Sequence, residues 1–302
     1  MNVWRATYRF SFEWLDEPIT IGQLSLHPAP PEYGSGCMHY YDFEVDGADK
    51  DAQGRALDSA RERLGELLEV ASLSPREPMV EFVGLALLSG RGLTPQRPST
   101  NFELQPLPLQ TASSGTKLLS QVKVTVERLQ SLPPNIRSAV GRSLRWQYRA
   151  REAPGHSEDR FIYLWIAFNS LYGVGGDRAG SEMQRIMRFV EAFLDFVKVA
   201  HPPERWVASS VQAAALSNER GKPVGRDLLH ALEQQDGSYE ADLFSALYTV
   251  RCGIFHGESY YSSLQAARLL GATSGYLAAY LAQVTKGMIN REQSAGGEPP
   301  NE

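Results

Sequence analysis

The hydrophobic period of this chain changes across residues 89–114, a segment rich in Gly, Pro, Ser and Thr. Before it, apolar residues alternate with polar ones, which is typical of strands; after it they recur every three or four residues, which is typical of helices. The chain must therefore contain two differently built parts. We predict an α+β domain over residues 1–112, an all-helical bundle over 113–292 and a disordered tail over 293–302, with more helix than strand overall.

The first part is predicted to hold four strands and one helix. Every even position from 4 to 14 is apolar, which predicts a half-buried strand. Ala56, Ala60 and Leu64 recur at helical spacing and predict an amphipathic helix over about 49–72. The other predicted strands cover residues 19–26, about 39–45, and 80–88.

The second part is predicted to be helical throughout. Paired prolines at 133–134 and at 202–203 separate neighbouring helices, because proline cannot continue a helix beyond its first turn. The predicted spans are about 116–131, 135–151, 158–172, 179–200, 206–217, 223–235, 238–256 and 260–290.

Composition limits the class of protein. Two cysteines, Cys37 and Cys252, cannot build a disulfide framework, so a cytoplasmic location is expected. The longest uncharged run, residues 269–285, contains Gly, Ser, Thr and Gln and is too polar for a membrane span. The net charge is -5, but residues 113–302 carry 21 Lys and Arg against 19 Asp and Glu. Any contact with a polyanion is therefore expected in the helical part.

The end of the helix predicted over 238–256 combines two groups that suit phosphate chemistry. Arg251 is a permanent cation whose guanidinium matches phosphate geometry. His256, five residues later, is a titratable proton carrier, and Gly257 is a plausible helix stop. One proton carrier beside one phosphate clamp is a minimal set for cleaving a phosphodiester.

Three segments together resemble HEPN domains, a family of all-helical domains that are often metal-independent ribonucleases. Arg251 and His256 match the Arg-x4-6-His signature of that family. Residues 159–173 resemble the first core helix of Apea-like HEPN domains, with an Arg-Phe start, a Leu-Trp-Ile-Ala centre and a Leu-Tyr-Gly end. Residues 143–148 resemble the helix before it, and the likeness covers roughly residues 115–290.

The resemblance implies an endoribonuclease that cleaves RNA through its 2′-hydroxyl, possesses no cofactor, and works in a defence or toxin setting, with Arg251 and His256 as catalytic residues. Five helical positions place the two side chains about 140° apart, so they do not face one point within one chain. Two such helices packed across a two-fold axis can bring both pairs into one cleft. We therefore expect a homodimer through the helical domain, as the resemblance also implies.

Four further polar residues are candidates for RNA contact or support. Arg142, Arg145 and Arg149 fall on one face of the helix predicted over 135–151, which suits either a phosphate backbone or a solvated surface. Asn169 lies in an apolar run of the family-like helix. It either points toward the cleft or satisfies a nearby backbone group.

Glu258 and Tyr260 follow the histidine and are possible supporting residues. Glu258 either orients His256 or is solvated. In some HEPN toxins a tyrosine two residues after the histidine is nucleotidylated by a partner antitoxin; Glu258 occupies that position here, so the role is not transferred to Tyr260. A protein or antitoxin partner would instead bind through the first domain.

Neither a metal nor a cofactor is expected from the motifs. Cys37 and His39, with His27, are scattered and match no metal-binding spacing. One departure from the family favours an alternative function: active members often carry a polar residue directly after the arginine, where this chain has Cys252. With the low net charge, it favours a non-catalytic HEPN-like module that binds RNA, a nucleotide or a protein.

Overall fold

The computed structural model describes residues 1–10, 18–21, 24–29, 38–46, 51–71, 80–90, 112–153, 155, 157–174, 180–197, 204–218, 220–234, 238–257 and 264–295. Within these ranges the chain has five strands and nine helices, which confirms a mostly helical α+β chain. None of the described helices is long and apolar enough to cross a lipid bilayer.

The strands form one antiparallel sheet in the order β2-β3-β4-β1-β5. Helix α1 packs against it: its buried Ala56 and Ala60 allow a close approach, and the Tyr8 hydroxyl of β1 donates to the Ala60 carbonyl at 3.1 Å. The elements of this part are β1 (Asn2–Phe10), β2 (Ile19–Ile21), β3 (Leu24–Pro28), β4 (Met38–Val45), α1 (Ala52–Ala71) and β5 (Val80–Ser89).

Two predictions for the sheet need correction. Residues 19–26 form a hairpin and not one strand, with Ile19 opposite Leu26 and Ile21 opposite Leu24. The apolar positions change from odd to even between Ile21 and Leu24, and this change of phase marks the turn. Strand β1 is buried on both faces from Ala6 to Phe10, not half-buried, and its predicted extension over 11–14 lies outside the described residues.

The helices of the second part match most of the predicted spans. They are α2 (Ala112–Ser131), α3 (Pro134–Glu152), α4 (Glu158–Tyr172), α5 (Glu182–Val197), α6 (Glu204–Ala214), α7 (Leu228–Gln234), α8 (Ser238–Phe255) and α9 (Leu264–Ala295). Helix α7 is shorter than the predicted 223–235. Pro223 pairs with Ser217 in a β-bridge, and Gly225 has a positive φ of 69°, so neither residue can open that helix.

The chain divides into two compact units, Met1–Ser131 and Leu132–Glu302. Helix α2 contacts α1 and β2 and so belongs to the first unit. The expected division between residues 112 and 113 falls at the first turn of α2, whereas the units divide at its other end. Helix α9 continues to Ala295, so residues 293–295 are helical and not part of a disordered tail; residues 296–302 lie outside the described residues.

The core of the second unit is aromatic. Helices α4, α5, α8 and α9 meet around Phe168, which is fully buried. Its ring contacts Trp165, Tyr172, Phe189, Phe244 and Tyr280, with ring centroids 5.1–6.1 Å apart. This cluster fixes the position of α8, whose C-terminal end carries Arg251 and His256.

Candidate functional site

Helix α8 ends in a tightened turn that holds His256. The His256 amide donates to the carbonyls of Cys252 at 2.9 Å and Gly253 at 3.1 Å, and the Gly257 amide donates to Ile254 at 3.1 Å. Gly257 has a φ of 79°, in the left-handed region where glycine is favoured, so the predicted helix stop is confirmed. His256 is exposed on this turn, with its backbone fixed by hydrogen bonds on both sides.

The Arg251 side chain lies along α8, over two aromatic rings of the same helix. Its guanidinium carbon is 4.8 Å from the Phe255 ring centroid and 5.7 Å from that of Tyr248, and Nη1 donates to the Cys252 sulfur at 3.7 Å. Its Nε atom is buried and has no hydrogen-bond partner among the described residues. Phe255 is 58% exposed, so Arg251 lies between the interior of the unit and an uncovered aromatic surface.

Glu182, in the first turn of α5, links three helices beside Arg251. Its two carboxylate oxygens accept hydrogen bonds from the hydroxyls of Tyr172 (α4) at 2.7 Å and Tyr248 (α8) at 3.3 Å. Burial alone lowers the pKa of Arg251, but the hydrogen bond to Cys252 and the negative charge of Glu182 raise that pKa overall. Arg251 therefore stays cationic although it is partly buried.

The two tyrosines on Glu182 act as hydrogen-bond donors, not as bases. Burial, followed by the neighbouring Cys252 and Glu182, raises the pKa of Tyr248 to about 12. Burial and the hydrogen bond to Glu182 also raise the pKa of Tyr172. Both phenols are neutral at physiological pH and donate hydrogen bonds to Glu182, whereas an imidazole such as that of His256 is a residue type suited to proton transfer.

A pocket of about 550 Å³ opens beside His256; we call it the His256 pocket. Helix α8, the start of α5 and the loop before α7 surround it. Arg251 is not among the described residues that line this pocket. The two motif residues, Arg251 and His256, therefore lie in different surroundings. The lining residues are Ser181, Met183, Ser217, Asn218, Arg220, Lys222, Ser245, Tyr248, Thr249, Cys252, Gly253 and His256.

The loop that lines the His256 pocket is a hydrogen-bonded turn that carries two cations. The Asn218 side chain accepts hydrogen bonds from the amides of Arg220 and Lys222, each at 3.0 Å, and its backbone amide donates to the Lys222 carbonyl at 2.8 Å. Gly221 has a φ of 70°, as this turn requires. The exposed side chains of Arg220 and Lys222 line the pocket, while Glu219 lies outside the described residues.

Asn169 lies at a different pocket. Its Oδ1 atom is buried and has no hydrogen-bond partner among the described residues. The pocket it lines, of about 490 Å³, also involves Arg142 and Ser170 but neither Arg251 nor His256. The fold thus brings two predicted site residues, Asn169 and Arg142, together on the α3–α4 side of the unit.

The three predicted RNA-binding arginines are exposed on one face of α3. Arg142 donates to the Ser138 hydroxyl at 2.7 Å, and the Arg149 guanidinium lies 4.8 Å from the Trp146 ring centroid. Trp146 is half-buried and contacts Tyr163, with centroids 5.5 Å apart. The Trp146 ring therefore packs against side chains of its own unit.

Two predicted supporting residues, Glu258 and Tyr260, fall within 258–263 and lie outside the described residues, as does Cys37. In the described ranges no group of three or more His, Cys, Asp and Glu side chains is placed to hold a metal ion.

Sequence reasoning missed Glu182, Arg220 and Lys222. Nothing in the sequence marked Glu182 as a functional residue except its place near the start of a predicted helix. Residues 218–222 fell between two predicted helices, and the Asn and Gly there indicate a tight turn that could have drawn attention to the cations. Their position beside His256 depends on packing between α6, α7 and α8, which local sequence does not specify.

Comparison with known proteins adds no assignment: no protein-family model, curated protein or solved structure matches this chain.

Proposed function

We propose that this protein is a HEPN-type, metal-independent endoribonuclease. The observation that carries the proposal is the placement of His256, exposed on a rigid helix end and lining a pocket that also presents two cations. The Arg-x4-His spacing and the family-like helix, now residues 158–172 of α4, support the same reading. The pocket offers a proton carrier and positive charge, and cleavage by an RNA 2′-hydroxyl uses both kinds of group.

The proposed reaction forms a bond between the 2′-oxygen and phosphorus and breaks the bond from phosphorus to the 5′-oxygen. One His256 imidazole takes the proton of the 2′-hydroxyl, and the imidazolium of a second protomer gives a proton to the departing 5′-oxygen. Guanidinium groups stabilise the charge on the phosphorane. The products are a 2′,3′-cyclic phosphate and a 5′-hydroxyl.

The proposal includes a homodimer because the two motif residues of a single chain lie in different surroundings. Arg251 lies over Phe255, while His256 lines a pocket to which Arg251 does not contribute. Phe255 is exposed at the end of α8, and a second copy packed there would cover it and bring its own motif close. The defence or toxin setting, the cytoplasmic location and a protein partner on the first unit remain predictions from the sequence.

One observation favours the alternative, a module that binds RNA without cutting it. The Arg251 guanidinium is engaged with the Cys252 sulfur and two aromatic rings, and Glu182 supplies a nearby negative charge. A guanidinium held in this way can support the fold without touching a phosphate.

Cleavage in excess chelator separates the two functions. We expect the purified protein to cut a fluorescent single-stranded RNA in EDTA and to leave intact the same sequence made with 2′-deoxyribose, because the reaction uses the 2′-hydroxyl as nucleophile. The upstream product should resist alkaline phosphatase until acid opens its cyclic phosphate. Cleavage of the deoxy strand, or loss of all cleavage in EDTA, would contradict the proposal; binding without cleavage would support the alternative.

A further inference from the structure

We propose that Arg220 and Lys222 form a phosphate-binding subsite in the His256 pocket, and that the pocket accepts one unpaired nucleotide linkage of single-stranded RNA. The inference deepens the proposed function and rests on it for the identity of the ligand as RNA. The two cations that line the pocket with His256 belong to the turn before α7 and not to the Arg251–His256 motif.

The turn geometry makes Arg220 and Lys222 suited to this role. Asn218 fixes both backbone amides, so the two side chains leave a defined turn and both reach the lining of the pocket. The structure gives neither side chain an acidic partner among the described residues. Because the backbone of the turn is already ordered, only the two side chains have to be fixed when they donate hydrogen bonds to phosphate oxygens.

The acidic residue closest to this region along α5 is already engaged. Glu182 uses both carboxylate oxygens for the hydroxyls of Tyr172 and Tyr248, while its neighbours Ser181 and Met183 line the pocket. Ser181 and Gln184 cap the helix reciprocally, with hydrogen bonds of 2.8 and 3.3 Å. Glu182 itself is not among the described residues that line the pocket, and the described lining contains no Asp or Glu, so a phosphate there meets the positive charge of the turn.

Pocket size and reaction geometry favour a single strand. A volume of about 550 Å³ is in the range of pockets that enclose a small ligand, whereas duplex RNA is recognised across wide grooves. In-line attack by the 2′-hydroxyl also needs a linkage free to leave the helical stack. A flexible strand can place one phosphate on Arg220 and Lys222 and the next linkage at His256.

The test measures binding of a single-stranded RNA whose riboses are all 2′-O-methylated and cannot react. The R220A/K222A double variant should weaken its affinity by at least about 10-fold and lower the slope of log K against log salt by about 0.7, since the two cations share one phosphate and each single-strand phosphate contact contributes about 0.7. R205A/R226A is the matched control: it removes the same charge from two exposed arginines that do not line the pocket. Its affinity and slope should stay close to wild type.

Equal weakening by both double variants, or equal affinity of the wild type for a blunt duplex of the same sequence, would overturn the subsite. Unchanged melting temperatures show that both proteins are folded, and R220Q/K222Q, which keeps the polar surface of the turn, should reproduce the loss. Because the RNA cannot be cut, the result is independent of the proposed chemistry. A nuclease assay can fail while the subsite stands, and the subsite can fail while cleavage persists.

Discussion

Replacing His256 by alanine is expected to lower the rate of RNA cleavage by about 10²–10⁴-fold, the usual contribution of a positioned acid–base group. His256 is exposed, and its hydrogen bonds to other described residues come from its backbone amide, which alanine keeps. The substitution should therefore remove the imidazole without changing the end of α8. Single-turnover cleavage of a labelled RNA at saturating protein measures this loss apart from any change in affinity.

His230 offers a matched control for this substitution. It is also an exposed histidine, on α7, and it does not line the His256 pocket. H230A should cleave at the wild-type rate. If H256A is as active as H230A, then His256 is not the proton carrier and the reaction must use another group.

Replacing Phe168 by alanine is expected to destabilise the second unit by about 3–5 kcal/mol, as for other buried aromatic residues that leave a cavity. Phe168 is fully buried and its ring contacts aromatic residues from four helices, so a smaller side chain leaves many of them without a partner. Helix α8 is among those helices. Hydrogen exchange of α4 and α8 peptides should rise together, because they share this core.

Two comparisons make the Phe168 result specific. F168L retains part of the volume and should fall between F168A and the wild type. L264A truncates an apolar side chain that is 71% exposed, and its effect on stability should be near ±0.5 kcal/mol. An F168A effect as small as that of L264A would show that the aromatic cluster does not hold these helices together.

Helices and strands with a strong hydrophobic periodicity were predictable from the sequence. The side chains that surround them in the fold were not. The regular stripes on α4 and α8 and the glycine after His256 located both helices and the stop at Gly257. The hairpin over 19–28 was missed because two short strands were joined into one run, although the apolar phase changes between them. The early end of the last helix was predicted from polarity, and α9 instead continues to Ala295.

For the site, spacing identified a cation and a histidine but not their surroundings. An ideal helix separates Arg251 from His256 by about 140°, and the structure places only His256 in the pocket. The other residues that line the pocket come partly from α5 and from the turn before α7, and both lie far from His256 in the sequence. The same long-range packing places Asn169 beside Arg142, away from the motif.

The hydrogen bond to Cys252, followed by the negative charge of Glu182, raises the pKa of Arg251 against the effect of burial. The carboxylate lies between two tyrosine hydroxyls on neighbouring helices and supplies the opposing charge. The position after the arginine, Cys252, is buried and accepts the Arg251 hydrogen bond, so in this chain it helps to hold the guanidinium. A charged arginine stacked on an exposed phenylalanine is well placed to meet a group from a second protomer.

The most direct test is to combine a wild-type chain and an H256A chain in one dimer, isolated through a different tag on each chain. The proposed reaction uses the imidazoles of both protomers at one phosphate, so we expect this mixed dimer to cleave RNA about 10²–10⁴-fold more slowly than the wild type, like the H256A homodimer. Cleavage by the mixed dimer at about half the wild-type rate would contradict a site shared between protomers.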